Sequence, residues 1–201
     1  MGCGPYALLT GHDAWRDDCR TMAGLVRGQK VLDLGVGPGT SALETARALP
    51  GHLRLGLDRS LPMLRLAAAR ASRLEVPLLL VQADALALPF AKESLDAVTG
   101  HSLLYLVSEP LAALAEVRRV LRPGGGVAFL EPRVGSASPR AALSKGPRCL
   151  SSMLLWRCMA RLHRRFDEVS LPALLLAAGL REARGWPVLF GYGVMATATV
   201  P

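Results

Sequence analysis

Hydrophobic residues fall into short runs, separated by stretches in which apolar positions recur every three or four residues. The short runs predict buried strands, and the spaced positions predict amphipathic helices. The predicted strands are Lys30–Leu34, Leu53–Leu57, Pro77–Gln82, Leu95–Thr99, Val127–Glu131, Leu180–Val188 and Gly193–Val200. The predicted helices are one from Asp13 that stops at Gly28, then Ser41–Leu49, Pro62–Leu74, Pro110–Leu121, Leu150–Phe166 and Ser170–Ala178.

This alternation predicts an α/β fold, a Rossmann-like doubly wound sheet of seven strands with helices on both faces. The sheet is expected to be mostly parallel with an antiparallel last strand. A chain of 201 residues predicts a single domain. Its expected parts are an N-terminal lid helix (1–27), a cofactor-binding core (28–131), a basic substrate-side insertion (132–169) and the final helix and strands (170–201).

Composition narrows the class of protein. No apolar run approaches the length of a transmembrane span, and the N-terminus lacks a secretion signal, so we expect a cytoplasmic protein. The four cysteines have no paired metal-ligand spacing, so no metal site is expected.

A glycine-rich loop joins the first strand to the next helix. Gly35, Gly37 and Gly39 allow backbone to approach a ligand closely and to adopt positive φ. In the dinucleotide pattern G-x-G-x-x-G the sixth position is glycine, whereas here it is Thr40. That departure favours S-adenosylmethionine over NAD.

Two carboxylates follow the next strands. Asp58 ends the second strand, where a charged acceptor suits both ribose hydroxyls of an adenosine ligand. Asp84 follows the third strand and is placed to accept from the adenine amino group, with the N–H of Ala85 facing a ring nitrogen. Met63 or Leu86 would pack on the base.

Four ordered segments give the chain a family resemblance. They are Val31–Thr40, Gly56–Ala67, Asp84–Phe90 with Ser94-Leu-Asp96, and Leu121-Arg-Pro-Gly-Gly125. Over residues 28–131 the sequence resembles class I methyltransferases of the ubiquinone/menaquinone-biosynthesis type. The resemblance implies S-adenosylmethionine as methyl donor, S-adenosylhomocysteine as product, and a methionine ammonium held by Asp33 and the Gly35 backbone. The complete set of expected cofactor residues is Asp33, Gly35, Val36, Gly37, Gly39, Thr40, Asp58, Arg59, Met63, Asp84, Ala85, Leu86 and His101.

The residues that would contact the methyl acceptor are less clearly indicated by the sequence than those of the cofactor site. His101 follows the fourth strand, nearest the transferred methyl in this fold, and its imidazole is the candidate general base; a backbone-lining role is the alternative. Further candidates for a lid or for contact with the acceptor are Tyr6, His12, Tyr105 and Glu131, whereas Trp15 is expected in the core.

Positive charge is concentrated late in the chain. Residues 133–165 contain eight Lys/Arg and no acidic residue, and Arg157, Arg161 and Arg164 would share one face of the predicted helix Leu150–Phe166. Three interpretations remain open: a solvated face on a helix that covers the pocket, contact with an anionic membrane surface, and binding of an anionic acceptor or nucleic acid. Nucleic acid is disfavoured because no recognition motif accompanies the charge.

Three functions remain at this point. The first is methyl transfer to a small molecule, such as a lipid-like or quinone-like acceptor or a secondary metabolite, by a monomer or homodimer. The second is an NAD(P)-dependent reductase, disfavoured by Thr40 and Asp84. The third is a methyltransferase-fold scaffold without activity, against which Asp33, Asp58 and Asp84 argue.

Overall fold

A computed structural model describes residues 12–48 and 51–201. The helices, in chain order, are α1 (Asp13–Leu25), α2 (Thr40–Ala48), α3 (Leu61–Arg73), α4 (Pro110–Val120), α5 (Pro139–Ser144), α6 (Pro147–Ala160) and α7 (Ser170–Ala177). The strands are β1 (Lys30–Leu34), β2 (Leu53–Asp58), β3 (Leu79–Gln82), β4 (Leu95–His101), β5 (Leu121–Pro132), β6 (Arg181–Val188) and β7 (Gly193–Thr199). A single 3₁₀ turn, Leu189–Gly191, joins β6 to β7.

The strands form one sheet in the order β3-β2-β1-β4-β5-β7-β6. Strands β1 to β5 pair in parallel, and β7 pairs antiparallel with both β5 and β6. This is the predicted fold, and the prediction is confirmed. Strand order reverses between β1 and β4, and in such sheets ligands bind outside the carboxyl ends of the strands at that point.

Strand β5 is buried on both faces. Val127 and Phe129 belong to a core cluster that includes residues of α4 and α7, whereas Ala128 and Leu130 belong to a second cluster that includes residues of α1 and α6. Alternate side chains of a strand point to opposite faces. Helices therefore cover both faces of the sheet, as expected from the near-continuous apolar runs.

The segment Arg122–Gly126, which precedes the predicted fifth strand Val127–Glu131, lies inside β5. Leu95 pairs with Leu121 and Ala97 with Gly126, so the segment bulges from the ladder. Gly124 has a φ of 74° and its N–H donates to the carbonyl of Val200 at 3.1 Å. The last residues of the chain thus provide a backbone partner that local sequence does not reveal.

The basic helix is displaced from its predicted position. Helix α6 begins at Pro147 and ends at Ala160, rather than at Leu150 and Phe166, and the predicted insertion 132–169 also contains α5. Phe166 is 3% exposed and its N–H donates to the carbonyl of Pro132 at 3.0 Å. Burial of this ring beside β5 draws the chain away from the helix axis.

The predicted shared helical face of Arg157, Arg161 and Arg164 is therefore wrong, because Arg161 is the C-cap residue and Arg164 lies beyond the helix. Arg157 instead donates to the carbonyl of Gly135 at 2.8 Å and lies 5.7 Å from the ring centre of Tyr192. In the described ranges no helix has the length and apolar character needed to cross a bilayer.

Candidate active site

A cavity of about 920 Å³ opens at the carboxyl ends of the parallel strands. Its wall includes residues that follow β1, β2 and β3, the end of β4, and part of α6. A volume near 1,000 Å³ is at the upper end of the range for small-molecule sites. The cavity therefore has room for two ligands side by side.

The loop after β1 follows the floor of this cavity. Gly35 has a φ of 69°, and a Cβ there would lie 2.7 Å from Cδ1 of Leu103. Gly37 has a φ of 50° and its N–H donates to Asp58 Oδ2 at 2.9 Å. Side chains at these positions would be strained by the backbone conformation. The glycines thus let the backbone itself form the wall.

Asp58 lies between this loop and the start of α3. Oδ2 accepts from Gly37, and Oδ1 accepts from the N–H of Ser60 at 2.8 Å. These two bonds fix the carboxylate plane at the cavity wall. A carboxylate oxygen has more than one acceptor site, so each oxygen retains capacity for a hydroxyl donor. The geometry suits a pair of neighbouring hydroxyl groups.

Asp33 is the most buried carboxyl on the cavity wall, at 4% exposure. Oδ1 accepts from the hydroxyl of Thr99 at 3.1 Å, whereas Oδ2 has no hydrogen bond of good geometry within the described part of the chain. Burial raises the pKa of Asp33 to about 7, against the opposing hydrogen bond from Thr99. A cationic ligand group would satisfy Oδ2 and favour the ionised form.

The loop after β3 contributes the third acid. Asp84 Oδ1 accepts from the N–H of Leu86 at 2.9 Å, which closes a tight turn. Met63 on α3 lies on the same wall as this turn. The structure brings together in one cavity wall all but one of the cofactor residues expected from the sequence, and Gly39 is the exception. A Cβ at Gly39 would lie 3.1 Å from that of Ala67, so this glycine allows the loop to pack on α3.

The opposite end of the cavity is mainly apolar and aromatic. Its wall there consists of Trp15, His101, Leu103, Tyr105, Leu106, Val107, Leu155, Met159 and His163. Arg59, beside Asp58, is the one Lys or Arg in the cavity wall as described. Sequence reasoning did not identify Trp15, Leu155, Met159 or His163 as cavity residues. The spacing of Leu155, Met159 and His163 at i, i+4 and i+8 was an available signal.

His101 is surrounded by aromatic rings. Its ring centre lies 4.5 Å from that of Trp15 at an interplanar angle of 31°, and 6.4 Å from that of Trp156. Nδ1 lies 3.0 Å from Oγ of Ser102. Burial lowers the pKa of His101 to about 3, so the imidazole is neutral near pH 7 and a weaker base than a solvated histidine. Its role as general base stays a prediction.

One candidate for contact with the acceptor, His12, lies away from this cavity wall. His12 caps α1, where Nδ1 accepts from the N–H of Trp15 at 3.3 Å, and it lies on a separate cleft of about 690 Å³. Tyr6 lies outside the described residues. Trp15 is 2% exposed, as expected for a core residue, but its buried ring also reaches the main cavity.

Glu131 is fully buried and does not line the cavity, so the prediction that it contacts the acceptor does not fit the structure. Oε1 accepts from the N–H groups of Leu103 and Leu104 at 3.0 and 2.8 Å, and Oε2 from that of Tyr105 at 3.3 Å. Burial raises the pKa of Glu131 to about 8, although these three bonds oppose the shift. Glu131 positions the loop that forms the apolar end.

Comparisons with known proteins agree with this geometry. A family model described as "Methyltransferase domain" matches residues 31–125. A demethylmenaquinone methyltransferase of Mycolicibacterium paratuberculosis is 41% identical over 181 residues, which cover 90% of this chain and 71% of that protein. Another, from Roseiflexus castenholzii, is 38% identical over 117 residues, which cover 58% of this chain and 48% of that protein.

The match to the Roseiflexus protein thus spans about half of that relative's length. Among solved structures, a SAM-dependent methyltransferase from Aquifex aeolicus superposes over 100% of both chains with a TM-score of 0.74 at 19% identity. Likeness at that identity concerns the fold alone. The sequence relatives, the matched domain and the sheet order converge: the chain belongs to the class I S-adenosylmethionine-dependent methyltransferases, in the menaquinone-like branch.

Proposed function

We propose that this protein transfers the methyl group of S-adenosylmethionine to an apolar acceptor with an aromatic ring, of the prenylated quinol class. The single observation that carries the proposal is the make-up of the 920 Å³ cavity, in which the strand order puts the acids and glycines after β1, β2 and β3 to one side of the apolar, aromatic residues that follow β4. The name of the relatives, demethylmenaquinone methyltransferase, supports the quinol class.

The polar end fits the donor. Asp33 Oδ2 is buried with no hydrogen bond of good geometry from the described residues, although the N–H of Ala42 and the hydroxyl of Ser41 favour the ionised carboxylate, and it would bind the methionine ammonium. Asp58 would accept from the ribose hydroxyls and Asp84 from the adenine amino group. These three side chains come from three neighbouring strand ends, at spacings that one extended ligand can bridge.

When bound, S-adenosylmethionine supplies a methyl group activated by its sulfonium, which leaves as S-adenosylhomocysteine. The protein therefore contributes mainly alignment and exclusion of water. Trp15, Tyr105 and Met159 present apolar surface against which a planar acceptor ring can be held. The reduced, quinol form is the electron-rich partner that such a transfer needs.

The acceptor loses a proton as the new bond forms. His101 lies on the cavity wall and is neutral near pH 7, because burial lowers its pKa to about 3. We propose that it orients the acceptor hydroxyl, takes up its proton only transiently and passes that proton on to solvent, since the conjugate acid of a base this weak releases a proton readily.

The proposal is tested by calorimetric titration of the full chain with S-adenosylmethionine, S-adenosylhomocysteine and NADH. Binding of both sulfur compounds but not NADH is expected. Failure to bind either one would overturn the proposal, and tight binding of NADH would favour a reductase. Product formation with a short-chain, water-soluble demethylnaphthoquinol then tests the acceptor class; binding without turnover of any acceptor would favour a scaffold.

Asp58→Ala provides the matched test of the donor site. The substitution removes the acceptor for the ribose hydroxyls and for the Gly37 N–H, so we expect binding weaker by roughly 1–3 kcal/mol. Glu75→Ala, on an exposed residue after α3, is the control. Equal affinities of the two variants would contradict the assignment of Asp58.

A further inference from the structure

Helix α6 has three distinct faces. One face packs on the core through Cys149, Met153, Trp156 and Ala160, each at most 3% exposed. A second face, with Leu155 and Met159, lines the cavity and continues to His163 in the following turn. A third face points outwards, with Leu154 at 49% exposure and Leu162, just beyond the helix, at 86%.

The apolar outer face lies beside the cavity wall. Leu155 is 43% exposed to solvent and also lines the cavity, so apolar surface continues from the interior to the outside. Isolated exposed leucines are ordinary, but contiguous apolar surface at the edge of a ligand cavity marks an interaction site. An apolar acceptor would meet this surface before the cavity.

Positive charge borders the same surface. Arg161 and Arg164 are exposed, flank Leu162, and form no ion pair within residues 12–48 and 51–201. The whole segment 133–165 contains no acidic residue that could neutralise them. Protruding apolar side chains beside unpaired arginines fit a bilayer surface, where leucine enters the acyl region and guanidinium groups bind lipid phosphates.

We propose that the outer face of α6 and its following turn, formed by Leu154, Leu155, Arg161, Leu162 and Arg164, docks on an anionic lipid bilayer. The acceptor then passes from the lipid along Leu155 into the cavity. The passage of the acceptor rests on the proposed function, whereas the docking of this face on the bilayer does not. A bilayer is fluid and adapts to the protein surface. One protruding leucine and two arginines can therefore bind it without the large contact area that a protein partner would require.

The test is flotation of the full chain with vesicles of phosphatidylcholine alone or mixed equally with phosphatidylglycerol, at physiological ionic strength. Binding to the anionic vesicles is expected. Leu162→Glu should weaken partition by roughly tenfold or more, from the lost burial of one leucine side chain. Its control is Leu25→Glu, which adds the same charge at a leucine 41% exposed, at the amino edge of the sheet.

The charge contribution is tested separately. Arg161→Gln with Arg164→Gln should weaken partition by roughly thirtyfold, as expected for two basic residues at an anionic surface. Arg73→Gln with Arg181→Gln removes the same charge from exposed positions elsewhere and should have little effect. Equal loss in both double variants would mean attraction by net charge alone and would overturn the proposal.

Three further outcomes would also overturn the proposed docking on a bilayer. The first two are no binding to anionic vesicles and equal binding of Leu162→Glu and Leu25→Glu. The third is self-association of the chain that Leu162→Glu abolishes, which would assign the face to a second copy. All four variants leave the cavity wall unchanged, so turnover of the water-soluble acceptor should be retained. If the unmodified chain did not turn over this acceptor, the proposed function would be contradicted. Vesicle binding would still test separately whether this face docks on a bilayer.

Discussion

Buried polar groups around the cavity differ in whether their hydrogen bonds are complete. The carboxylate of Glu131 accepts three backbone N–H groups, and that of Asp58 accepts two. Asp33 Oδ2 and His101 Nε2 have none of good geometry from the described residues, and some atoms away from the cavity, such as Ser152 Oγ, share that state. An unsatisfied buried polar atom costs free energy. The complete groups hold the loops in place, and the incomplete ones on the cavity wall retain capacity for a ligand group.

His101 makes stability depend on pH. Its folded-state pKa of about 3 lies below the unfolded value near 6.5. The neutral imidazole therefore contributes fully to the free energy of unfolding above pH 6.5, and this contribution is lost as the pH falls toward 3. His101→Phe keeps a ring against Trp15 and removes the titration. We expect the free energy of unfolding of the wild type, relative to this variant, to fall by up to about 1.4 kcal/mol per pH unit below pH 6.5.

Urea unfolding of both proteins at several pH values measures this difference. The comparison with the variant is necessary because Asp33, with its pKa raised to about 7, contributes stability that is lost as pH rises and so opposes the trend. Parallel pH profiles of the two proteins would contradict the burial assigned to the imidazole.

Glu131→Gln should destabilise the fold without any direct contact with a ligand. The amide keeps one acceptor oxygen but places an NH₂ group against a backbone donor of Leu103, Leu104 or Tyr105. Leaving a buried N–H unpaired costs roughly 1–3 kcal/mol. Denaturant unfolding should measure that loss, with Glu182→Gln on exposed β6 as control; an unchanged midpoint would mean that the loop does not depend on Glu131.

At the scale of elements, the β1–α2 connection is the part best predicted from sequence. Its glycines, its position after a buried strand and the acid at the end of β2 are local features, so the loop was recognised before its contacts were known. The limits of α6 were not predicted, because burial of Phe166 beside β5 is a contact between distant segments. Short-range periodicity contains no information about that contact.

Gly35→Ala tests the loop. Alanine there adopts a φ of 69° at a cost of roughly 1 kcal/mol and also places a Cβ 2.7 Å from Leu103. Gly124→Ala is the matched control, since φ is 74° and no heavy atom lies within 4 Å of the added carbon. We expect Gly35→Ala to lose roughly 2–3 kcal/mol of stability and to weaken S-adenosylhomocysteine binding, whereas Gly124→Ala loses only the backbone cost. Equal effects would exclude the Leu103 contact as the cause.

For the whole molecule, the acidic and apolar ends of one cavity are built from different segments of the chain. Ligand at the acidic end should stabilise the entire fold, because binding to the native state adds about 2.7 kcal/mol at a concentration a hundredfold above Kd. For a domain of this size we expect S-adenosylhomocysteine to raise Tm by roughly 5–10 °C, measured by thermal unfolding. NADH is the control, and a similar rise with NADH would contradict the donor assignment.

The distribution of charge is also a property of the whole chain. Sequence located the excess of basic residues in the segment 133–165, but a helical face shared by Arg157, Arg161 and Arg164 did not form. In the structure Arg157 is held by the carbonyl of Gly135, and Arg161 and Arg164 flank the exposed Leu162 instead. Which arginines are available to a partner therefore depended on where the helix ended.

By itself the sequence determined the fold class and the acid-lined part of the cavity. Gly35 follows β1, Asp58 ends β2 and Asp84 lies two residues beyond β3, and parallel strands place their carboxyl ends at one edge, so local pattern is sufficient there. The apolar part of the cavity was decided only by tertiary structure. Trp15 precedes β1, Tyr105 follows β4 and Met159 lies in α6, and only packing of the two helices and that loop around β5 brings these residues to one wall.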